Sequence, residues 1–351
     1  MNVVFTVANM AGGGAERVIS LLSNRMSQKG IAVTIIMTAG TQIAYEMDTR
    51  VKIKSAGGTT QGSIVKRIKR VMILRKMIKE CNPDAVITFG IGSSFFTALS
   101  NIGLKNTFVI SERNDPKACP HPFLRNLVYA CADKLVFQTE DAMNSFPKCL
   151  SKKGVIIPNP INEGMEQAYC GKRTNEMVAV GRLEPQKNYP LLLHAFFLFH
   201  KEYPNYTLHI YGRGYLEEEL RTMAKKFGIE KYVFFEGFCT QVHSKIKSAA
   251  MYILSSDYEG ISNALLEAMA LGLPVISTDC PIGGSRLLIK DHKNGLLVPV
   301  GDVHKLKEAM CELTNEDIAA EFGREASIIR ESFSEEVITL QWIKVAGVTE
   351  G

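Results

Sequence analysis

No apolar run in this 351-residue chain approaches the roughly 20 residues that a membrane-spanning helix needs, so a bundle of spans is excluded. The N-terminus, MNVVFTVANMAGGGAE, has no basic stretch ahead of an apolar one, and a mature protein that starts here and stays in the cytoplasm is expected. Eight cysteines are scattered with no C-x-x-C pair, which argues for thiols in a reducing compartment and against a zinc site. There is no D-x-D to clamp a metal–diphosphate, no G-x-S-x-G, no G-x-x-x-x-G-K-[ST] and no H-E-x-x-H. Metal hydrolysis, serine acyl transfer and P-loop phosphate chemistry are thereby set aside, and neither a metal nor a bound cofactor is expected.

What is present suits a soluble globular protein: 46% hydrophobic and 22% charged residues, over a length that favours two domains. The net charge of +5 conceals an asymmetry. Residues 1–170 carry 21 Lys and Arg against 12 Asp and Glu, whereas residues 171–351 carry 20 against 24. The basic half is the one expected to meet an anionic partner.

Short β-branched runs alternate with longer amphipathic segments throughout. Strand candidates are Val3–Ala8, Val33–Met37, Ala85–Thr88, Thr107–Ser111, Lys134–Phe137 and Gly154–Ile157, then Met177–Val180, Thr207–Tyr211, Val233–Phe235, Met251–Leu254, Pro274–Ser277 and Leu296–Val298. Strands alternating with helices predict parallel α/β sheets, so the expectation is two Rossmann-like, doubly wound domains facing across a cleft. Pro-Asn-Pro at 158–160 marks the junction, giving an N-terminal domain over 1–160 and a C-terminal one over 161–351. The last helix could pack back on the first domain.

Three strand-to-helix loops carry candidate chemistry. In VANMAGGGAERV a glycine run precedes a helix start, where Gly13 and Gly14 offer close backbone approach to an anion or simply a tight turn. The run lacks the G-x-G-x-x-G spacing of a dinucleotide site. In AVGRLEPQKNYPLL, Arg182 and Lys187 share one loop before a helix opened by Asn188; two cations there suit a diphosphate, or form a solvated charged loop. In YEGISNALLEAMALGLPV, Glu259 lies on the loop and Glu267 about a turn inside the helix that Ser262 or Asn263 caps and Gly272 ends. Carboxylates at two heights can take hydroxyls at separate ends of one polyol while the helix start faces its anionic middle; a helix with one N-terminal Glu and an incidental second is the plainer alternative.

A different signal is SIVKRIKRVMILRKMIKE, residues 63–80. Ile64, Ile68, Val71, Met72, Leu74 and Ile78 form an apolar stripe, and Lys66, Lys69 and Arg70 lie opposite it with Ile73 and Met77 among them. Exposed Ile and Met between cations fit a helix resting on anionic lipid; a plain solvated basic face is the alternative. No aromatic residues interleave as nucleic-acid binding would want, and none is expected to bind.

Gly13-Gly14 before a helix, Arg182 with Lys187, and Glu259-x7-Glu267 followed by ALGLPVISTD resemble glycosyltransferase family 4, retaining and metal-independent enzymes of the GT-B fold. The likeness runs from the glycine run to NGLLVPVGD at 294–302. It implies that Glu259 contacts the donor sugar and Glu267 the ribose, and that Arg182 and Lys187 hold the diphosphate with backbone groups at Ser262 and Asn263. Gly14 would face the donor, and the strand end at Gly237-Phe238 would border the base. In that family the leaving diphosphate and incoming hydroxyl are thought to share one face, so catalysis is charge stabilisation and positioning. Many relatives carry His where VISERNDP has Arg113; Glu112, Arg113, Asn114 and Asp115 are the acceptor-side candidates. The expected activity is transfer of a hexose or N-acetylhexosamine from a UDP-linked sugar to a lipid-linked saccharide, for a surface polysaccharide such as capsule or lipopolysaccharide or for a glycoprotein glycan, on the inner leaflet of an anionic membrane. A nucleotide-sugar 2-epimerase of similar fold would invert C2 of the donor alone, and a sugar-nucleotide-binding subunit without activity would not need the Arg182, Lys187, Glu259 and Glu267 set.

Overall fold

The computed structural model describes residues 1–57, 63–113 and 115–347. They divide into two compact units, Met1–Asn162 with Phe333–Gly351, and Glu163–Ser332.

The first unit is a seven-stranded parallel sheet: β1 (Asn2–Val7), β2 (Ala32–Met37), β3 (Lys52–Ser55), β4 (Ala85–Phe89), β5 (Thr107–Ser111), β6 (Lys134–Phe137) and β7 (Gly154–Ile156), ordered β3-β2-β1-β4-β5-β6-β7. Near-continuous Val, Ile and Phe in the central strands follow from burial on both faces. The order reverses between β1 and β4, so the right-handed crossovers send Gly14–Gln28 to one face and Ile64–Cys81, Ile91–Asn101 and Pro122–Ala130 to the other. Helix Glu335–Val345 returns to pack on Gly14–Gln28. Its Trp342 is fully buried, its ring stacked on Phe89 with centroids 5.4 Å apart.

The second unit has six parallel strands: β8 (Glu176–Val180), β9 (Thr207–Tyr211), β10 (Val233–Gly237), β11 (Met251–Leu254), β12 (Val275–Thr278) and β13 (Leu296–Val298), ordered β10-β9-β8-β11-β12-β13. Its reversal lies between β8 and β11. Such a point, at the carboxyl ends of the strands, is where open α/β sheets leave a crevice.

The helix Ile64–Cys81 corrects the expected phase. Its buried residues are Arg70, Leu74 and Ile78, while Ile64, Val65, Ile68 and Met72 are exposed, Ile64 to 75%, and Ile73 and Met77 are half-buried. Arg70 therefore cannot lie on a lipid-facing side: its guanidinium sits 4.9 Å from the Phe96 ring. The neighbouring helix decides the rotation. Ser100 donates to the Val71 carbonyl at 3.1 Å, and Arg75 donates to the carbonyls of Ser100 and Ile102 at 2.9 and 2.6 Å. Leu74 and Ile78 are buried as expected, but the stripe they belong to continues through Arg70 instead of Ile64, Ile68 and Met72; apolar residues occur all round Ile64–Cys81, and these polar partners fix which of them turn inward.

Removing the Trp342 ring leaves a large cavity where the returning helix meets β4. Trp342→Ala is expected to lower stability by about 3–5 kcal/mol in a urea titration; a loss below about 1 kcal/mol would mean that the helix contributes little.

Candidate functional site

The loops following β8 and β11 flank the reversal of the second sheet, and they are fastened to each other. Ser255 donates its hydroxyl to the Lys187 carbonyl at 2.8 Å, the Asp257 amide donates to the Gln186 carbonyl at 2.9 Å, and the Asn188 side-chain amide donates to Asp257 at 2.6 Å. Asn188 can do this because it adopts a left-handed backbone, φ 44°, tolerated by Asn; its own Oδ1 caps helix Tyr189–His200 through the Leu191 amide.

This lacing places Lys187 Nζ 2.8 Å from Glu259 Oε2, with side chains only 13% and 15% exposed. Gln186 and Ser256 donate to the same carboxylate oxygen at 3.3 and 3.4 Å. Arg182, in the same loop, is well exposed and pairs with Glu184 at 3.1 Å. A glycine is required beside that loop: a Cβ on Gly212, at φ 149°, would strike the Gly181 carbonyl.

Ser262 caps helix Asn263–Ala270, its hydroxyl accepting from the Leu265 amide, and Gly272 follows the helix at φ 74°. Glu267 is the fifth helical residue and buried, with its Oε2 2.8 Å from His243 Nε2. Behind the loop, burial pushes the Cys280 thiol up to about 11, assisted by the charge of Glu259, so it stays a thiol at neutral pH and is no nucleophile.

Of the sequence candidates, Lys187 and Glu259 are thus in contact, and Ser262, Asn263 and Glu267 share the helix that follows. Gly237 and Phe238 lie at the end of edge strand β10, with β9 between it and β8; Phe238 is 65% exposed. Gln186, Asp257 and His243 were not singled out from sequence. His243 belongs to a dispersed set of histidines, and only the fold brings it 24 residues back onto Glu267.

In the first unit Gly12, at φ 118°, makes the turn after β1, and Gly13 and Gly14 are exposed at the start of helix Gly14–Gln28, where Tyr45 donates to the Gly13 carbonyl at 2.9 Å. Glu112 is buried and accepts the Tyr129 hydroxyl at 2.9 Å; burial together with that carboxylate holds the phenol well above its ordinary pKa. Arg113 turns towards the core. It donates to Ser111 at 2.7 Å and to Asn159 at 2.6 Å, and its guanidinium lies 4.7 Å from the Phe89 ring and 5.4 Å from Trp342. Burial lowers its pKa to about 9, and it stays protonated at pH 7. Asp115 caps the turn Pro116–Ala118, and Asn114 lies outside the described residues.

Residues 12–164 match the model described as Glycosyltransferase Family 4, and residues 165–328 the model described as Glycosyl transferases group 1. The chain is 29% identical, over 98% of its length and 98% of the relative's, to a Campylobacter jejuni alpha-1,4-N-acetyl-D-galactosaminyltransferase whose name gives a diNAcBac-PP-undecaprenol-linked saccharide as substrate. It is 26% identical to an uncharacterized glycosyltransferase of Haemophilus influenzae, over 96% of this chain and 98% of that one. Among solved structures it superposes on a lipopolysaccharide outer core galactosyltransferase with TM-score 0.76, 21% identity and coverage of 98% and 99%, and on Anabaena HepE in complex with UDP and glucose with TM-score 0.83, 15% identity and coverage of 99% and 99%.

The Lys187–Glu259 contact is shielded enough for its partners to depend on each other. Lys187→Met and Glu259→Gln are each expected to cost about 3 kcal/mol in urea unfolding, and the double variant little more than either alone. Strictly additive losses would show that the two side chains do not couple.

Proposed function

The chain belongs to the glycosyltransferases of the GT-B fold, of the family-4 type, and from that premise we propose that it moves a hexose or N-acetylhexosamine from a UDP-linked donor to a lipid-linked saccharide, with retention and without a metal. The observation that carries this reading is the constellation at the sheet reversal of the second unit, Lys187 against Glu259 with Glu267 one turn inside the helix that Ser262 caps.

In this reading the diphosphate becomes the partner of Lys187 and of Arg182, whose exposed guanidinium can swing from Glu184. The helix start at Ser262-Asn263 faces the same charge. Glu259 accepts hydrogen bonds from the sugar hydroxyls and Glu267 from the ribose, with the strand end at Gly237-Phe238 bordering the base. The bond from the anomeric carbon to the diphosphate breaks with its electron pair leaving on phosphate oxygen; the acceptor hydroxyl bonds on the same face and gives its proton to a diphosphate oxygen. Lys187 and Arg182 stabilise the charge that develops. Glu112, Arg113, Asn114, Asp115 and Gly13-Gly14 belong, in this proposal, to the unit that takes the acceptor, with Arg113 supporting it from within.

The lipid acceptor is supported by the Campylobacter relative's named substrate and by one surface of the first unit. Helices Ile64–Cys81, Ile91–Asn101 and Pro122–Ala130 pack in a row, and the row exposes Ile64, Val65, Ile68, Met72, Leu99, Ile102, Phe123, Leu124 and Leu127. Lys66, Arg67, Lys69 and Lys76 stand among them, and Glu80 is the one carboxylate of the three helices. No helix among the described residues is long and apolar enough to cross a membrane, so a surface contact at the inner leaflet is the form proposed.

A thermal-shift screen of UDP, GDP and ADP sugars is expected to select UDP, and Lys187→Ala to lower kcat/KM for transfer about 100-fold or more; unchanged transfer in both Lys187→Ala and Glu267→Ala would make the site assignment wrong. Neutralising Lys66 and Lys69 as glutamines is expected to weaken sedimentation with phosphatidylglycerol vesicles about thirtyfold at low salt. Undiminished sedimentation would sink the membrane contact.

A further inference from the structure

Glu267 is 7% exposed, and at that depth little water is at hand to orient its carboxylate. His243 approaches it from the short helix Val242–Ile246, which packs on the helix carrying Glu267. The Nε2–Oε2 distance is 2.8 Å, and the side chains are 21% and 10% exposed. An ionised carboxylate can only accept, so the ring nitrogen must carry the proton and donate it. An imidazole with its proton on Nε2 can therefore fix the carboxylate in one rotamer without cancelling its charge, and a charged oxygen is the stronger acceptor for a hydroxyl.

We propose that His243 is a positioning residue that holds Glu267 for the donor's ribose hydroxyls and so sets the preference for a ribonucleotide over a deoxyribonucleotide. This rests on the assignment of Glu267 to the ribose. A long, flexible glutamate loses rotamer freedom when it binds, and a second side chain that holds it beforehand removes that cost from the binding step. Its effect falls on hydroxyl recognition, whereas the diphosphate is held by Lys187.

The test is calorimetric titration of UDP, 2′-deoxy-UDP and 3′-deoxy-UDP into the wild-type chain, His243→Ala, His243→Gln and Glu267→Ala, each first checked for native circular dichroism. In His243→Ala, UDP is expected to bind about tenfold more weakly, with affinity for the weaker deoxy analogue almost unchanged. His243→Gln, whose amide nitrogen can stand near the position of Nε2, should recover most of the loss. In turnover, KM for the donor should rise more than kcat falls. Should Glu267→Ala erase the ribose preference while His243→Ala keeps it, His243 does not position the carboxylate although the ribose assignment stands. If Glu267→Ala itself keeps the preference, the ribose assignment fails and the inference falls with it.

Discussion

A lysine and a glutamate 72 residues apart, each shielded from water and 2.8 Å from the other, fasten the two loops at the sheet reversal of the second unit. The contact stands only because its neighbours complete it: Gln186 and Ser256 donate to the same carboxylate, Ser255 holds the Lys187 carbonyl, and Asn188 and Asp257 tie the loops a second time. A shielded ion pair is stable when its remaining lone pairs are satisfied in this way, and expensive to break when they are not. The charges also suit a polyanionic ligand, since a diphosphate can take the lysine as partner while sugar hydroxyls take the carboxylate. In the proposed function each would exchange one hydrogen-bonding partner for another instead of becoming a bare charge.

Topology explains why this happens where it does. In both units the strand order reverses, next to β1 in the first and β8 in the second, and the loop leaving that strand opens with one small residue, Ala8 or Gly181. The chemistry after the turn differs. The loop leaving β8 directs a lysine towards a carboxylate, whereas the loop leaving β1 presents the turn at Gly12 and a helix with Glu16 in its first turn.

The parallel α/β character was legible in the sequence because strands buried on both faces are written as uninterrupted apolar runs. Lys52–Ser55 escaped for the converse reason: it is an edge strand, and its lysines alternate with Ile53 in a pattern without an apolar run. The glutamate pair and the two-cation loop were legible because cap chemistry fixes where a helix starts, and hence the height of each side chain. Their mutual contact was not, since it depends on β8 lying beside β11 although two strands separate them in the chain. Glu267's partner His243 was hidden likewise. The inward face of Ile64–Cys81 was legible only in part: Leu74 and Ile78 are buried as expected, but with apolar residues all round the helix its sequence did not reveal that Arg70, stacked on Phe96, continues their stripe while Ile64, Ile68 and Met72 stay outside.

The same helix shows that counting charges overstates what a surface offers. Two arginines of the basic half, Arg70 and Arg113, turn inward onto Phe96 and onto Phe89 with Trp342. A guanidinium is weakly hydrated and stacks on aromatic faces, so it tolerates such a place where an ammonium would not. The outer face is left mainly to lysines on long flexible stems, spaced among exposed Ile and Met. Point charges on mobile stems fit many headgroup arrangements and demand no single geometry, and apolar side chains between them need only reach the edge of the acyl layer. A surface built to grip one fixed anion would keep its arginine forks outside. This one turns Arg70 inward and leaves Arg67 and the lysines outside, a distribution that suits the fluid anionic surface of the proposed function more than a single bound phosphate.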